Sequence, residues 1–124
     1  MGLGLLGRGV GDAEFLAQCG AQVHATDLKS PSELASSVDY LRKYPNVTYR
    51  LGEHVVEDFT ECDMIIKAAG VPLNSRYIEA ARAKGIPVYM TAALFAQFAA
   101  ATGAKLIGVT GTRGKSTITH MIFH

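Results

Sequence analysis

The chain has 124 residues, nearly half of them apolar, and a formal net charge of +1, which suits about one domain's core and gives no basic field for DNA or RNA. Its charges are scattered rather than blocked, so nucleic acid is not an expected partner. No stretch has the layout of a secretion signal, and the longest apolar run, Ala92 to Ala101, is broken by Gln97 and too short to span a bilayer; a cytoplasmic protein without membrane insertion is expected.

The chain opens on Gly2-Leu3-Gly4-Leu5-Leu6-Gly7, a G-x-G-x-x-G that ordinarily follows a buried strand and opens a helix. Almost nothing precedes it, so the first strand is expected to be missing. Val10, Ala13, Leu16 and Ala17, with Phe15 alongside, fall at helical spacing over Arg8 to Gln18, and Gly20 is a natural stop. A short strand, Gln22 to Thr26, ends at Asp27, twenty residues after Gly7. At that offset a Rossmann-type sheet presents an acid to a ribose or base. A loop aspartate opening the turn before Ser30-Pro31 is the competing reading.

Ser30-Pro31-Ser32-Glu33 has the capping serine, early proline and returning glutamate of a helix start, with Leu34, Val38 and Leu41 on one buried face. Val47, Tyr49 and Leu51 alternate as a strand, Val55, Val56 and Phe59 form an amphipathic turn, and Met64 to Ile66 form a buried strand. Gly70 then lies at the carboxyl end of that strand, where open parallel sheets place ligands, although a plain turn glycine explains it equally. Asn74 or Ser75 caps a helix that turns Tyr77, Ile78 and Ala81 inward and ends at Gly85, before a strand from Ile86 to Met90. Thr91 caps the next helix, whose stripe of Leu94, Phe95, Phe98 and Ala99 reads as core, and Gly103 ends it.

Lys105 to Val109 reads as one more strand, leading into Gly108-Val109-Thr110-Gly111-Thr112-Arg113-Gly114-Lys115-Ser116-Thr117 and a helix from Lys115 to His124. Glycines let backbone N–H groups converge on an anion, the helix adds its positive end, and a lysine at the turn reaches terminal phosphates. Lys115 and Ser116 suit the phosphate and Mg²⁺ roles, with Thr117 a neighbouring candidate. The general P-loop pattern asks for glycine where Val109 stands, and the bland alternative is a glycine-rich connection with an accidental Lys-Ser pair.

Alternation of strand and helix predicts an α/β fold, a Rossmann-like parallel sheet with helices on both faces, followed by the start of a P-loop ATPase domain. The boundary is expected near Gly103, giving residues 1–103 as a Rossmann-like domain lacking its first strand. Residues 104–124 then hold an opening strand, loop and helix that cannot bury a core of their own.

Thr110-Gly111-Thr112-Arg113-Gly114-Lys115-Ser116-Thr117 resembles the phosphate loop of the ATP-dependent Mur ligases, with Arg113 where that family usually carries asparagine. Together with the glycine motif about a hundred residues earlier, the whole chain is similar to the branch that adds D-glutamate to UDP-N-acetylmuramoyl-L-alanine. The resemblance implies ATP held by Gly111, Thr112, Arg113, Gly114, Lys115, Ser116 and Thr117, with Lys115 acting on the transferring phosphoryl group and Ser116 on Mg²⁺. It further implies Gly4, Leu5 and Leu6 on the UDP diphosphate, Asp27, Leu28 and Lys29 around uracil and ribose, and Gly70 bordering the uracil. Leu6 and Leu28 stand where the family often has hydroxyl side chains; Lys29 or Arg8 could supply charge there instead. The implied reaction converts the terminal alanine carboxylate to an acyl phosphate, which the D-glutamate amine attacks, and this segment alone is expected to be inactive. An NAD(P)-binding Rossmann protein and a non-catalytic truncated nucleotide-binding module are the rival readings.

Cys19 and Cys62 lack metal-ligand spacing and read as buried or free thiols. His120 and His124 stand one helical turn apart without a third ligand, and His24 and His54 read as ordinary surface or packed residues. The sequence sets no oligomeric state.

Overall fold

The computed structural model describes residues 1–5 and 7–123. In chain order the elements are α1 (Arg8–Gln18), β1 (Val23–Asp27), α2 (Ala35–Leu41), β2 (Val47–Leu51), α3 (Glu57–Thr60), β3 (Ile65–Ile66), α4 (Arg76–Ala83), β4 (Val88–Tyr89), α5 (Thr91–Ala101) and α6 (Lys115–Phe123). Contacts divide the chain into a unit of Met1–Ala93 and a unit of Leu94–His124.

In the first unit β1 pairs with β2 in parallel, Val23 opposite Val47 and Asp27 opposite Leu51, and β3 pairs with β4 in parallel, Ile65 opposite Val88. Parallel neighbours need a crossover between them, and α2 and α4 lie within those two crossovers. The start of the chain joins the two pairs. Gly2 N–H donates to the Thr26 carbonyl at 2.8 Å, Ala68 N–H donates to the Met1 carbonyl at 3.0 Å, and the Met1 amino group donates to the Ile66 carbonyl at 2.9 Å. Residues 1 and 2 therefore run as main chain between β1 and β3, in the place the sequence reading left without a strand, though they are not themselves assigned as one.

Each pair has its own apolar core. Val10, Ala13 and Ala17 of α1 and Leu41 of α2 pack with Leu3, Ala25 and Val47, while Phe59, Ile65, Ile78 and Ala81 form the second cluster. Asp58 of α3 adds a polar tie, 2.6 Å from Arg50 of β2 and 3.2 Å from His24 of β1. The Ser30–Glu33 capping box closes as expected, with Ser30 N–H donating to Glu33 Oε2 at 2.8 Å and Glu33 N–H to Ser30 Oγ at 3.4 Å. The helix itself begins a turn later, at Ala35, and its fully buried positions are Leu34, Ser37 and Leu41, while Val38 is half-buried. A spacing of three then four residues keeps one face inward, and the polar Ser37 occupies the place expected of Val38.

Two expectations fail in the second unit. Residues 105–109 form no strand; a strand exists only where a neighbour takes up its N–H and C=O groups, and among the described residues none does. The stripe on α5 is not core: Leu94 is buried, but Phe95 and Phe98 are 64% and 54% exposed and Ala99 is half-buried. So short a segment has too few elements to cover them. Ile118, Met121 and Ile122 of α6 are exposed as well.

Candidate functional site

Parallel strands deliver their carboxyl ends to one edge, the usual ligand edge of such a sheet. In the Met1–Ala93 unit three turns are tied together there: the glycine turn after Leu3, Asp27–Lys29 after β1, and Ala68–Val71 after β3. Asp27 is only 9% exposed, and a buried carboxylate is tolerated when donors fill its lone pairs. Oδ2 accepts Gly4 N–H and Oδ1 accepts Lys29 N–H, each at 2.9 Å. Ser37, fully buried on α2, donates its hydroxyl to the Gly4 carbonyl at 2.8 Å. Gly4 is thus held by both of its peptide groups, at a left-handed φ of +67° that favours glycine.

The helix that follows approaches this turn closely. A Cβ on Gly9 would lie 2.4 Å from the Leu3 carbonyl oxygen and 2.6 Å from that of Gly2, whereas one on Gly7 would meet nothing nearer than Leu5 O at 3.3 Å. Close approach of helix to main chain, a role the motif gives its last glycine, falls here to Gly9. Gly2 likewise admits the third turn, since a Cβ there would come within 2.7 Å of Ala68 Cβ. Within that turn Val71 N–H donates to the Ala68 carbonyl at 3.1 Å. Buried Lys67 donates from Nζ to the carbonyls of Val71 at 2.8 Å and Ala68 at 3.2 Å.

Of the residues expected around a UDP ligand, Gly4, Asp27 and Lys29 are therefore joined by direct hydrogen bonds, and Gly70 stands exposed in the neighbouring turn. Leu5 and Leu28 are 53% and 66% exposed, and Leu6 lies outside the described residues. Sequence reasoning missed Gly9, Ser37 and Lys67. Only Lys67, a cation directly after the apolar run Met64 to Ile66, carried a signal that could have been read.

A cavity of about 540 Å³ runs along β1 and β3 from Cys62 and Met64 to the glycine turn, lined among others by His24, Thr26, Asp58, Gly2, Gly9 and Ala68. Among the described residues its lining reaches Thr26 and Ala68 but not Asp27, Lys29 or Gly70, and it holds no activated nucleophile: burial first, then Asp63, pushes the Cys62 thiol above its ordinary range. Cys19 is an exposed free thiol. His54 packs edge-on against Phe59 and Tyr77 with ring centroids 5.3 Å away in each case. Among the described residues no group of three or more His, Cys, Asp and Glu is placed to hold a metal, and His124 lies outside them. No helix among them is long and apolar enough to cross a membrane.

In the Leu94–His124 unit, Gly111 and Gly114 have φ of +148° and +78°, and α6 begins directly after Gly114. The first intrahelical bond runs from Ile118 N–H to the Gly114 carbonyl at 2.9 Å, so the earlier N–H groups, those of Lys115, Ser116 and Thr117, have no partner within the helix. Lys115 Nζ folds back to donate to the Gly111 carbonyl at 2.6 Å. Thr112 and Arg113 complete the loop, and every residue from Gly111 to Thr117 is exposed.

The profile of the Mur ligase MurD-like N-terminal domain matches residues 1–90. Among curated proteins, the chain is 43% identical over 122 residues to the UDP-N-acetylmuramoylalanine--D-glutamate ligase of Roseiflexus sp. (strain RS-1), a match covering 98% of this chain and 25% of that protein. The protein of the same name from Borreliella burgdorferi (strain ZS7) is 40% identical over 99% of this chain and 26% of its own length. That of Treponema pallidum is 36% identical over 94% of this chain and 22% of its own. The chain thus spans about a quarter of the length of the curated relatives it matches.

Proposed function

This chain belongs to the family of the Mur ligase MurD-like N-terminal domain, and from that premise we propose that it supplies the UDP-binding part and the ATP loop of a ligase. That ligase joins D-glutamate to UDP-N-acetylmuramoyl-L-alanine in peptidoglycan precursor synthesis; both substrates are taken from the names of the relatives. The observation that carries the reading is the bond from Gly4 N–H to the buried Asp27 carboxylate, beside the turn that bears Gly70. A dinucleotide site would share the first two features, but the loop around Lys115 and the relatives' names favour the ligase.

On this reading Gly4, Leu5 and Leu6 lie along the diphosphate. Gly4 N–H is already engaged by Asp27, so the anion is met by N–H groups after it and by the positive end of α1. Asp27, Leu28 and Lys29 take the uracil and ribose, and Gly70 borders the uracil. Each Asp27 oxygen accepts one main-chain N–H and keeps acceptor capacity for a ligand hydroxyl or N–H.

Residues Gly111 to Thr117 fit a nucleotide triphosphate with Mg²⁺, because two glycines in left-handed geometry precede a helix whose first N–H groups are open. ATP supplies the phosphoryl group that turns the acceptor carboxylate into an acyl phosphate, a good electrophile where the carboxylate is a poor one. Lys115, released from Gly111, would balance phosphate charge, and Ser116 would present its hydroxyl to Mg²⁺, with Thr117 beside it. A cytoplasmic place of action goes with ATP as a reactant.

The test is ATP-dependent formation of the D-glutamyl product by the protein that carries this segment together with the further length its relatives have. Lys115→Ala should abolish that activity, and the segment alone should show none. Undiminished ligation by the Lys115→Ala protein would refute the reading.

A further inference from the structure

Lys67 is a nearly fully buried cation at the carboxyl end of β3, at 5% exposure. No carboxylate among the described residues pairs with it. Its two hydrogen-bond partners are both carbonyls of one turn, Val71 at 2.8 Å and Ala68 at 3.2 Å. Burying an ammonium costs stability unless its donors are used, and here they are spent on the shape of four residues. The base of the side chain is itself fixed, because Lys67 N–H donates to the Tyr89 carbonyl of β4 at 2.9 Å.

The start of the turn is anchored independently. Ala68 N–H donates to the Met1 carbonyl, and Gly2 leaves no room for a Cβ between itself and Ala68. Gly70, in contrast, is exposed, and a Cβ there would meet nothing within 4 Å. An open glycine peptide is thus held between a turn start fixed to the glycine motif and a turn end fixed by Lys67.

We propose that Lys67 is the positioning residue of a nucleobase-reading turn: its ammonium clamps Ala68 and Val71 so that the main chain at Gly70 is preformed for the edge of a uracil. The inference rests on the UDP reading given above. It assigns Lys67 to the base and not to the phosphates.

The experiment titrates uridine and, separately, UDP into the wild-type chain, Lys67→Met and Lys67→Gln, following assigned backbone amides by NMR and measuring their hydrogen exchange. Lys67→Met keeps the apolar stem and removes the donors; Lys67→Gln keeps a neutral donor and carries the comparison if the first variant does not fold. Lys67→Met should bind uridine and UDP about tenfold more weakly, by the same factor for both, with Lys67→Gln between it and wild type. Exchange should accelerate at Val71 while Ala25 and Val47 stay protected. A loss confined to UDP, unchanged affinity for both ligands, or exchange loosened throughout the unit would each overturn the proposal. If wild-type chain bound neither ligand, the UDP reading itself would fall and this inference with it; wild-type binding that ignores Lys67 would leave that reading standing and remove only the inference.

Discussion

The main-chain N–H of Gly4 and the carboxylate of Asp27, 23 positions apart in the chain, meet at 2.9 Å. The acid at the end of β1 thereby shapes the glycine turn whether or not a ligand is present. Asp27→Ala leaves the N–H groups of half-buried Gly4 and exposed Lys29 without their acceptor, and because water can reach at least the second, the cost is about 1–3 kcal/mol in total. Asp27→Asn keeps the shape and one acceptor oxygen. Urea unfolding should order the proteins wild type, Asp27→Asn, Asp27→Ala from most to least stable, and UDP affinity should follow the same order.

Two glycines of α1 separate close packing from helix propensity. Gly9→Ala would drive a methyl group against the carbonyls of Leu3 and Gly2, so it should destabilise the unit by about 1–3 kcal/mol. Gly11, with nothing within 4 Å of its Cβ position, should accept alanine with a gain of about 0.5–1 kcal/mol from reduced backbone freedom. Thermal or urea unfolding of the two variants should move in opposite directions from wild type.

Burial, aided by the nearby amino terminus, holds the His54 imidazole below its ordinary range. The unfolded chain therefore takes up this proton first as pH falls through about 6.5, and it binds more protons than the folded form there. Stability from this source is complete above that pH and declines below it. Glu14 and Glu33, whose folded values are lowered chiefly by hydrogen bonds from Lys43 and Ser30, lose their contribution in a lower window, as pH falls below about 4.5. Replacing His54 with Phe keeps an aromatic ring against Phe59 and Tyr77 and should flatten the fall in stability between pH 7 and pH 5.

Much of this arrangement was legible from one dimension. The helix stop at Gly20 and the capping box at Ser30 are local patterns that local hydrogen bonds realise, while the spacing from Gly7 to Asp27 is a motif offset whose hydrogen bond, Gly4 to Asp27, spans 23 positions. Gly9 and Ser37 were not legible, because each owes its role to a partner distant in sequence or to a close approach between elements, whereas Lys67 bonds within four residues of itself and was signalled only by a cation closing an apolar run. Ser37 sat at a core position disguised by its hydroxyl, which finds Gly4 O. The expected strand at Lys105 to Val109 and the core stripe of Phe95 and Phe98 failed for a shared reason: apolar patterning marks what could be buried or paired, and the partner must be present for either to happen.

No residue from 102 to 123 is buried, so α6 draws little burial energy to add to its own hydrogen bonds, and a nine-residue helix is marginal in water on those alone. Its amides should exchange with solvent orders of magnitude faster than those of β1 and β2. Equal protection of Met121 and Ala25 in a hydrogen-exchange series would contradict this account.

The most direct test of the central claim is a side-by-side NMR titration of the chain with UDP and with NAD. Saturable shifts at the amides of Gly4, Lys29 and Gly70 are predicted with UDP and not with NAD. Saturable binding of NAD with no response to UDP, or UDP shifts that bypass those three amides, would contradict it.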